Sequence, residues 1–290
     1  MEGFTQQLIS GIVTGSIYAI LALALVVIFQ VSQDVNFAQG EMAMFSTYLA
    51  LMMVQAGVPY WVAFVLTVVF SFVFSALIEY TVIRPLHAAP VLSMVVVFVG
   101  LLVSFHGVAG WLWGYDSREF PSPFGAFTWL GSASISAHQA GAIVVTLLLV
   151  AVLFSFFYRT RLGLQMRAAS LNPVSSQLVG IPVGRMLMLG WGMAGAIGAI
   201  AGMMVAPMVF LDPSMMSGVL LYAFAGALLG GINSPLGAVV GGFVVGVAEN
   251  LAGTYLVGTD LKLSVALVLI VIVLIVRPAG LFGRKIVTRV

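Results

Sequence analysis

This chain has no cysteine and very few charged residues, and both shortages exclude large classes of protein. Without cysteine there can be no disulfide, no thiol nucleophile and no cysteine-ligated metal. Only 7% of the residues are charged, with 11 Lys and Arg against 9 Asp and Glu, whereas 62% are hydrophobic. The mean hydropathy is +1.17. A water-soluble surface needs far more charge than this, so a soluble domain is excluded.

Common enzyme motifs are absent as well. The sequence has no G-x-x-x-x-G-K-[ST], so it lacks a P-loop for ATP, and neither H-E-x-x-H nor G-x-S-x-G occurs. Its histidines, His87, His106 and His138, are far apart and show no metal-ligand spacing. We therefore expect no catalytic residue, no metal site and no cofactor. His106 lies within an apolar run, where a hydrogen-bonded packing role is favoured over a proton relay.

Long apolar runs define the expected fold. Several windows of about twenty residues carry few or no charges, and each could cross a bilayer as a helix. We predict an all-α polytopic membrane protein with about eight or nine transmembrane helices, one or more of them broken or half-length. Residues 1–290 would form a single transmembrane domain. The expected helices cover 8–29, 36–55, 60–83, 90–113, 139–158, 186–210, 219–230, 236–250 and 261–276.

Basic residues set the expected orientation, because loops rich in Lys and Arg stay on the cytoplasmic side. The strongest marker is the basic segment 159–186, which has no acidic residue. Its arginines are Arg159, Arg161, Arg167 and Arg185. The C-terminal tail is a second marker, with Arg277, Arg284, Lys285 and Arg289. We expect both in the cytoplasm of an inner-membrane protein, with the N-terminus and the hydrophilic loop 114–138 outside.

The basic segment contains the signals of one short helix. Asn172 followed by Pro173 is a strong helix start, because Asn caps free N–H groups and Pro suits the first helical position. Gly180, followed by Ile181 and Pro182, is a matching stop. This helix would lie outside the bilayer. It is either an interfacial helix held by its own leucines or a docking helix for a soluble partner.

Small residues recur at helical spacing in the second half of the chain. After Gly190, four G-x-x-x-G pairs start at Gly198, Gly226, Gly237 and Gly242. Such pairs let helix backbones approach closely in lipid. Intramolecular packing is the favoured explanation, and a subunit interface is the alternative. A break at 231–235, which includes Asn233 and Ser234, is either a broken helix lining a solute path or a plain interfacial turn.

Polar residues near the start of the second helix form another candidate site. Asn36 and Gln39 have the spacing of a capping box, with Asn36 as the N-cap and Gln39 reaching back to it. A polar helix start inside a membrane can also face a passing carboxylate. Asp34 and Glu41 are costly in lipid, so they should face water, protein or a partner.

Two intramembrane glutamates recur in related settings, Glu79 in F-S-A-L-I-E-Y and Glu249 in V-V-G-V-A-E-N. Their helices would run in opposite directions, as in an inverted repeat. The simpler alternative for Glu79 is a pair with Arg84 near the inner interface.

Four segments together resemble the permease subunits of bacterial branched-chain amino-acid ABC transporters, of the LivH type. They are N-F-A-Q-G-E after the first helix, R-T-R-L-G-L-Q-M-R-A-A-S-L-N-P with L-V-G-I, L-L-G-G-I-N-S-P-L-G-A, and R-P-A-G-L-F-G near the end. They occur in this order over nearly the whole chain. One departure is Gln39, where the family commonly has His.

The resemblance implies partners that composition does not show. They are a second, similar permease, two cytoplasmic ATPase subunits and a periplasmic or lipid-anchored solute-binding protein. The coupling helix that meets the ATPase would include Pro173 to Ile181. The residues implied in coupling are Arg159, Arg161, Gly163, Arg167, Asn172, Pro173, Gly180 and Ile181. Our own candidates for the translocation path are Asn36, Gln39, Glu41, Asn233, Ser234 and Glu249.

The leading hypothesis is therefore a permease subunit that moves branched-chain or related amino acids by alternating access, driven by separate ATPases. Within the same family the solute could instead be urea, a short amide or an aromatic acid. The alternative of another class is an ion- or proton-coupled carrier, with Glu79, Glu249 and His106 as coupling groups.

Overall fold

The computed structural model describes residues 2–87, 89–124, 128–129, 135–258 and 261–283, and these residues are mainly helical. The α-helices are α1 (Glu2–Ser32), α2 (Gln39–Gln55), α3 (Tyr60–Ile78), α4 (Val91–Trp113), α5 (Ala137–Arg159), α6 (Arg161–Leu171), α7 (Pro173–Leu178), α8 (Val183–Val209), α9 (Met215–Gly230), α10 (Pro235–Ala252) and α11 (Lys262–Val276). Two short strands, β1 (Thr128–Trp129) and β2 (Ile135–Ser136), pair antiparallel between α4 and α5.

The expected all-α membrane architecture is confirmed at this level. Among the described residues, six helical segments are long and apolar enough to cross a membrane. They are Gly3–Ser32, Tyr60–Leu86, Val91–Trp113, Ala137–Arg159, Val183–Val209 and Pro235–Val257. Helices α9 and α11 are apolar but shorter. The finer count of eight or nine crossings remains a prediction.

Two sequence-based boundaries are corrected by the structure. The segment expected at 236–250 is longer, because a π-helical turn (Gly253–Val257) extends α10. The basic segment was expected to be a loop with one short helix, but it contains α6 as well as α7. The predicted cations Arg284, Lys285 and Arg289 lie outside the described residues, as do 125–127 and 130–134 of the hydrophilic loop.

The chain divides into two compact units, and each is described by itself. The first unit comprises Met1–Val26, Phe124–Val150 and Gly218–Val290. In it α1 packs on α10 through small residues. A Cβ at Gly242 would lie 2.6 Å from the Cα of Ala19, and one at Gly15 would lie 2.7 Å from the Cα of Phe243. These contacts bring the helix backbones together, which supplies packing energy where lipid removes the hydrophobic drive.

The second unit comprises Val27–Pro123 and Ala151–Ser217. Here α8 packs against α2 and α3 along a row of glycines. A Cβ at Gly195 would lie 2.6 Å from the carbonyl oxygen of Ser71, and one at Gly202 would lie 2.7 Å from that of Ala43. The Ser71 hydroxyl of α3 donates to the Ser46 hydroxyl of α2 at 2.7 Å. The glycine pairs of the sequence therefore make intramolecular contacts, as the favoured explanation held.

Backbone hydrogen bonds join helix ends within each unit. Arg118, after α4, and Leu211, after α8, exchange two of them, at 2.9 and 2.8 Å. Leu281 and Phe282, after α11, donate to the carbonyls of Leu229 and Gly230 at the end of α9, at 2.8 and 2.9 Å.

We predict that Gly246→Ala destabilises the protein by about 1–3 kcal/mol, the usual cost of overpacking. The new methyl group would collide with the backbone of Gly15 and force α1 away from α10. The measurement is the thermal unfolding midpoint of the purified protein in detergent.

Gly107→Ala in α4 is the matched control, because no atom of the described residues lies within 4 Å of a Cβ there. It should be neutral or slightly stabilising, since Ala favours a helix over Gly by about 1 kcal/mol. Equal unfolding midpoints for Gly246→Ala and Gly107→Ala would contradict the proposed role of close packing.

Candidate functional site: the α6–α7 segment and the buried polar groups

Helix α6 begins with a side-chain cap and a close contact. Thr160 precedes the helix, and its hydroxyl accepts a hydrogen bond from the Gly163 N–H at 3.0 Å. A Cβ at Gly163 would lie 2.6 Å from the Cα of Phe157, so only Gly lets α6 fold back on the end of α5. The Arg167 guanidinium lies over the ring of Tyr158, 4.7 Å from the ring centroid. Gly163 and Arg167 thus fix the position of α6, whereas Arg159 and Arg161 are exposed.

Helix α7 has the start and stop predicted from the sequence. The Asn172 side chain accepts from the Ser175 N–H at 2.9 Å, and Pro173 occupies the first turn. Gly180 has φ +83°, a left-handed conformation that favours Gly at a helix end. The Ile181 N–H then donates to the Ser176 carbonyl at 2.9 Å. The chain therefore leaves α7 in a defined direction toward α8.

The surface of this segment is unusually apolar for an exposed short helix. Four aliphatic side chains at the end of α6 and along α7 are between 70% and 86% exposed: Leu171, Val174, Leu178 and Val179. They lie outside the six helices that could span a membrane. Exposed apolar patches with polar neighbours mark interaction sites. The arrangement fits either a protein partner or the membrane surface, the two alternatives raised by the sequence.

Asn36 and Gln39 are fully buried, but they do not form the expected capping box. Helix α2 begins at Gln39 and its N-cap is Ala38, without a side-chain cap. The Asn36 side-chain oxygen instead accepts from the Ala38 N–H at 3.0 Å, and its Nδ2 donates to Gln39 Oε1 at 3.3 Å. Gln39 Nε2 donates to the Ala194 carbonyl of α8 at 2.9 Å. The prediction was wrong because the Gln39 side chain bonds the Asn36 side-chain amide and a carbonyl of a neighbouring helix, and not the Asn36 backbone N–H.

Glu41 is also buried in the second unit, next to a histidine that sequence spacing did not reveal. Its Oε2 lies 3.6 Å from His106 Nδ1 and has no hydrogen-bond partner within the described structure. His106 remains about one-third exposed. Asp34, in the loop before α2, is partly buried, and this burial raises the pKa of its carboxyl above the ordinary value. Both acids therefore avoid lipid, as expected.

Glu249 belongs to a separate cluster in the first unit. Its Oε2 accepts a hydrogen bond from the Tyr18 hydroxyl at 2.7 Å. The Tyr18 ring stacks on Tyr222, with centroids 4.8 Å apart. The next residue of α10, Asn250, donates from its Nδ2 to the Thr14 hydroxyl at 2.7 Å. Pairing across α1 and α10 explains why these polar groups can be buried, and no local sequence pattern identified Tyr18 as the partner.

Asn233 and Ser234 lie between α9 and α10, where the chain breaks and restarts. Ser234 caps α10 by accepting from the Gly237 N–H at 3.1 Å, and Gly231 has φ +108°. Beside this break, the N–H groups of Leu281 and Phe282 donate to the last two carbonyls of α9. Two separate motifs, L-L-G-G-I-N-S-P-L-G and R-P-A-G-L-F-G, thus meet in one structural contact. Their spacing in the sequence gives no sign of it.

Glu79 makes the pair with Arg84 that the simpler alternative predicted. The Arg84 Nη2 lies 2.7 Å from Glu79 Oε2, and His87 Nε2 lies 3.6 Å from Oε1. Glu79 follows α3 at the start of a π-helical turn (Glu79–Ile83). The inverted-repeat hypothesis for Glu79 and Glu249 stays untested.

Comparisons with known proteins show similarity over nearly the whole chain. Residues 7–276 match the profile of a family described as "Branched-chain amino acid transport system / permease component". The high-affinity branched-chain amino acid transport system permease protein LivH of Escherichia coli (strain K12) is 30% identical, over 99% of this chain and 98% of its own length. The corresponding protein BraD of Pseudomonas aeruginosa is 30% identical, with the same coverage. Among solved structures, PsaBC from Streptococcus pneumoniae in complex with Fab aligns with 93% of this chain and 91% of its own at 13% identity and a TM-score of 0.47.

We predict that Asn172→Ala loosens α7 by about 1 kcal/mol, the usual value of an N-cap. The Ser175 N–H would lose its acceptor. Amide hydrogen exchange across 173–180 should then accelerate by about fivefold, because local opening costs that much less. The measurement is hydrogen exchange followed by mass spectrometry.

Asn172→Asp is the control, since a carboxylate keeps the cap acceptor, and it should leave exchange near the wild-type rate. If amide exchange in Asn172→Asp were as fast as in Asn172→Ala, the side-chain cap would not be what holds α7 in place.

Proposed function

This chain belongs to the family of branched-chain amino acid transport system permease components, and from that premise we propose that it is the membrane subunit of an ATP-driven amino-acid importer. It is a multi-pass inner-membrane protein, and its apolar helices fit that location. The transport subunits of this family are not themselves enzymes. Energy would therefore come from separate ATPase subunits bound on the cytoplasmic side.

The observation that best supports an energy source outside this chain is the exposed apolar surface around α7. Four aliphatic side chains between Leu171 and Val179 are 70–86% exposed, although this segment lies outside the membrane-spanning helices. A soluble ATPase with a complementary groove would remove this surface from water, a helix-in-groove mode of recognition. The exposed Arg159 and Arg161 at the start of α6 would add charge contacts at the rim. Gly163, Arg167, Asn172, Pro173, Gly180 and Ile181 would shape the docking segment.

The proposed substrate class is branched-chain amino acids, because the relatives that cover the chain carry this substrate in their names. A binding protein would deliver the solute from outside, and a second permease would complete the path. Urea, short amides and aromatic acids gain no support from these relatives. An ion-coupled carrier is also disfavoured, because Glu79 and Glu249 are held by Arg84 and Tyr18.

Among the path candidates, Glu41 has the geometry best suited to a solute. Its buried Oε2 accepts no hydrogen bond from the described residues and lies 3.6 Å from His106 Nδ1, so it could receive the ammonium group of an amino acid beside that ring. Asn36 and Gln39 would support it, since they fix the start of α2. Glu249, in the first unit, would be a second polar group that could contact the solute. Asn233 and Ser234 fit a structural role better, because Ser234 caps α10.

The direct test is uptake of radiolabelled leucine into liposomes. We expect uptake only when this chain is reconstituted with its partner permease, two ATPases, a binding protein and ATP. Leu178→Asp should abolish uptake and ATPase association, because the docking surface would have to bury a carboxylate. The readouts are uptake and co-purification of the ATPase.

Gln177→Glu adds the same charge one residue away, on a side chain that is already polar, and should retain both properties. Uptake by the isolated chain without ATP would refute the importer. If Gln177→Glu and Leu178→Asp lost uptake and ATPase association to the same extent, the apolar docking surface would be refuted.

The proposed orientation can be tested with single cysteines, because the natural chain has none to remove. Ser175→Cys lies on α7 and Ser117→Cys in the hydrophilic loop, and both positions are exposed. A membrane-impermeant maleimide should label Ser117→Cys in spheroplasts and Ser175→Cys in inverted vesicles. The reverse labelling pattern would place α7 outside and end the proposal.

A further inference from the structure

Arg84 joins two elements that are far apart in the sequence. Its Nη2 donates to Glu79 Oε2 at 2.7 Å and also to the Gly184 carbonyl at 2.7 Å. Its Nε donates to Glu79 Oε1 at 3.2 Å, which completes a two-pronged contact with the carboxylate. The Arg84 bridge, defined as Glu79, Arg84 and the Gly184 carbonyl, therefore connects the end of α3 with the start of α8.

The local geometry holds the guanidinium in place. Glu79 begins a π-helical turn that continues into the short 3-10 helix Arg84–Leu86, and its side chain is fully buried. The Tyr80 ring lies beneath the guanidinium, 4.8 Å from its centre. On the α8 side, a Cβ at Gly184 would lie 3.4 Å from the Arg84 Cζ, so the guanidinium rests directly on that backbone. A bidentate, stacked arginine of this kind has little freedom to move.

The position of Gly184 gives the bridge its significance. Gly184 is the second residue of α8, and α8 follows α7 after the turn at Gly180 and Pro182. A cavity of about 460 Å³ lies beside α7, lined in part by Pro173, Gln177 and Arg84. Helix α7 continues through a covalent turn into α8, and both α6 and α7 also contact α8. At the start of α8 the Arg84 bridge is a polar contact that ties this helix to the end of α3.

Helix α8 is in turn fixed firmly to its neighbours. The glycine contacts at Gly195 and Gly202 join it to α3 and α2, and Gln39 bonds its Ala194 carbonyl. Close-packed helices move together rather than deforming. A displacement that enters at the first turn of α8 would thus reach Gln39, one of the path candidates.

We propose that Arg84 and Glu79 are positioning residues for transport, which link the displacement of the docking helix α7 to the α2–α3–α8 group. This inference rests on the proposed function, since it requires an ATPase that moves α7. It assigns the buried Glu79 a mechanical role in coupling rather than one in ion or proton binding.

The experiment measures leucine transported per ATP hydrolysed by the complete reconstituted complex. Arg84→Ala should lower this ratio by about fivefold to tenfold, the size expected for a contact on a coupling path, while ATP is still hydrolysed. Arg84→Lys should lower the ratio less than Arg84→Ala does, because an ammonium keeps the positive charge beside Glu79. It should not restore the wild-type ratio, because an ammonium lacks the planar fork that bonds both Glu79 and the Gly184 carbonyl.

A second variant separates coupling from folding. Arg84→Ala leaves the buried Glu79 carboxylate without its main partner, which is strongly destabilising. Glu79→Gln combined with Arg84→Ala removes that unpaired charge, so the complex should assemble in normal amounts and still show the lowered ratio. A purely structural role would reduce transport and ATP hydrolysis in proportion, and the ratio would not change.

Thr81→Val is the matched control within the same π-helical turn. Its hydroxyl donates to the Leu77 carbonyl within the same helix at 2.8 Å, and the side chain is exposed. This variant should keep the wild-type ratio. A normal ratio in the double variant, or an equal fall in Thr81→Val, would overturn the inference. Failure of the wild-type complex to take up leucine with ATP would instead refute the proposed function, so the two failures are distinguishable.

Discussion

Close contact between helix backbones is the constraint on which both units depend. In lipid, apolar side chains gain nothing by leaving one apolar medium for another, so packing and hydrogen bonds must hold helices together. Glycine allows this close contact because it has no side chain: Gly242 packs against Ala19 in the first unit, and Gly195 packs against Ser71 in the second. The same approach makes polar burial possible. Gln39 can reach the Ala194 carbonyl because Gly198, one turn further along α8, leaves room for its amide.

Much of the helical layout follows from local sequence, whereas the partners of the polar groups do not. Asn172, Pro173 and Gly180 set the ends of α7 within a few residues, so their effect could be predicted. Glu79 and Arg84 are near neighbours in sequence, and their pair was predictable for the same reason. Tyr18 and Glu249 meet only because α1 crosses α10, and neither residue carries a local sign of the other. Gly11 and Gly15 form part of that crossing, and their spacing of four was the overlooked signal.

The wrong predictions have a physical reason in common. The capping box at Asn36 assumed that Gln39 reaches back to the Asn36 N–H, but Gln39 bonds the Asn36 side chain and the Ala194 carbonyl of α8 instead. The basic segment was expected to be a loop that contains one short helix. It forms α6, since Thr160 caps the first turn and Gly163 permits close contact with Phe157. In both places tertiary contacts decided the outcome over local preference.

Family membership and geometry complement one another in the functional interpretation. The relatives indicate transport, while the structure shows an exposed apolar helix with defined ends and one arginine that ties the following helix to its neighbour. Neither Glu79 nor Glu249 is isolated in the membrane. The buried charges therefore serve first to hold helices in register, and an external energy source fits this arrangement.

The backbone contact between the end of α9 and the segment after α11 bears on how the protein is made. The carbonyls of Leu229 and Gly230 accept backbone hydrogen bonds from Leu281 and Phe282. Those residues are synthesised after the whole of α10 and α11. During biosynthesis α10 and α11 must therefore be made before the end of α9 gains these two donors.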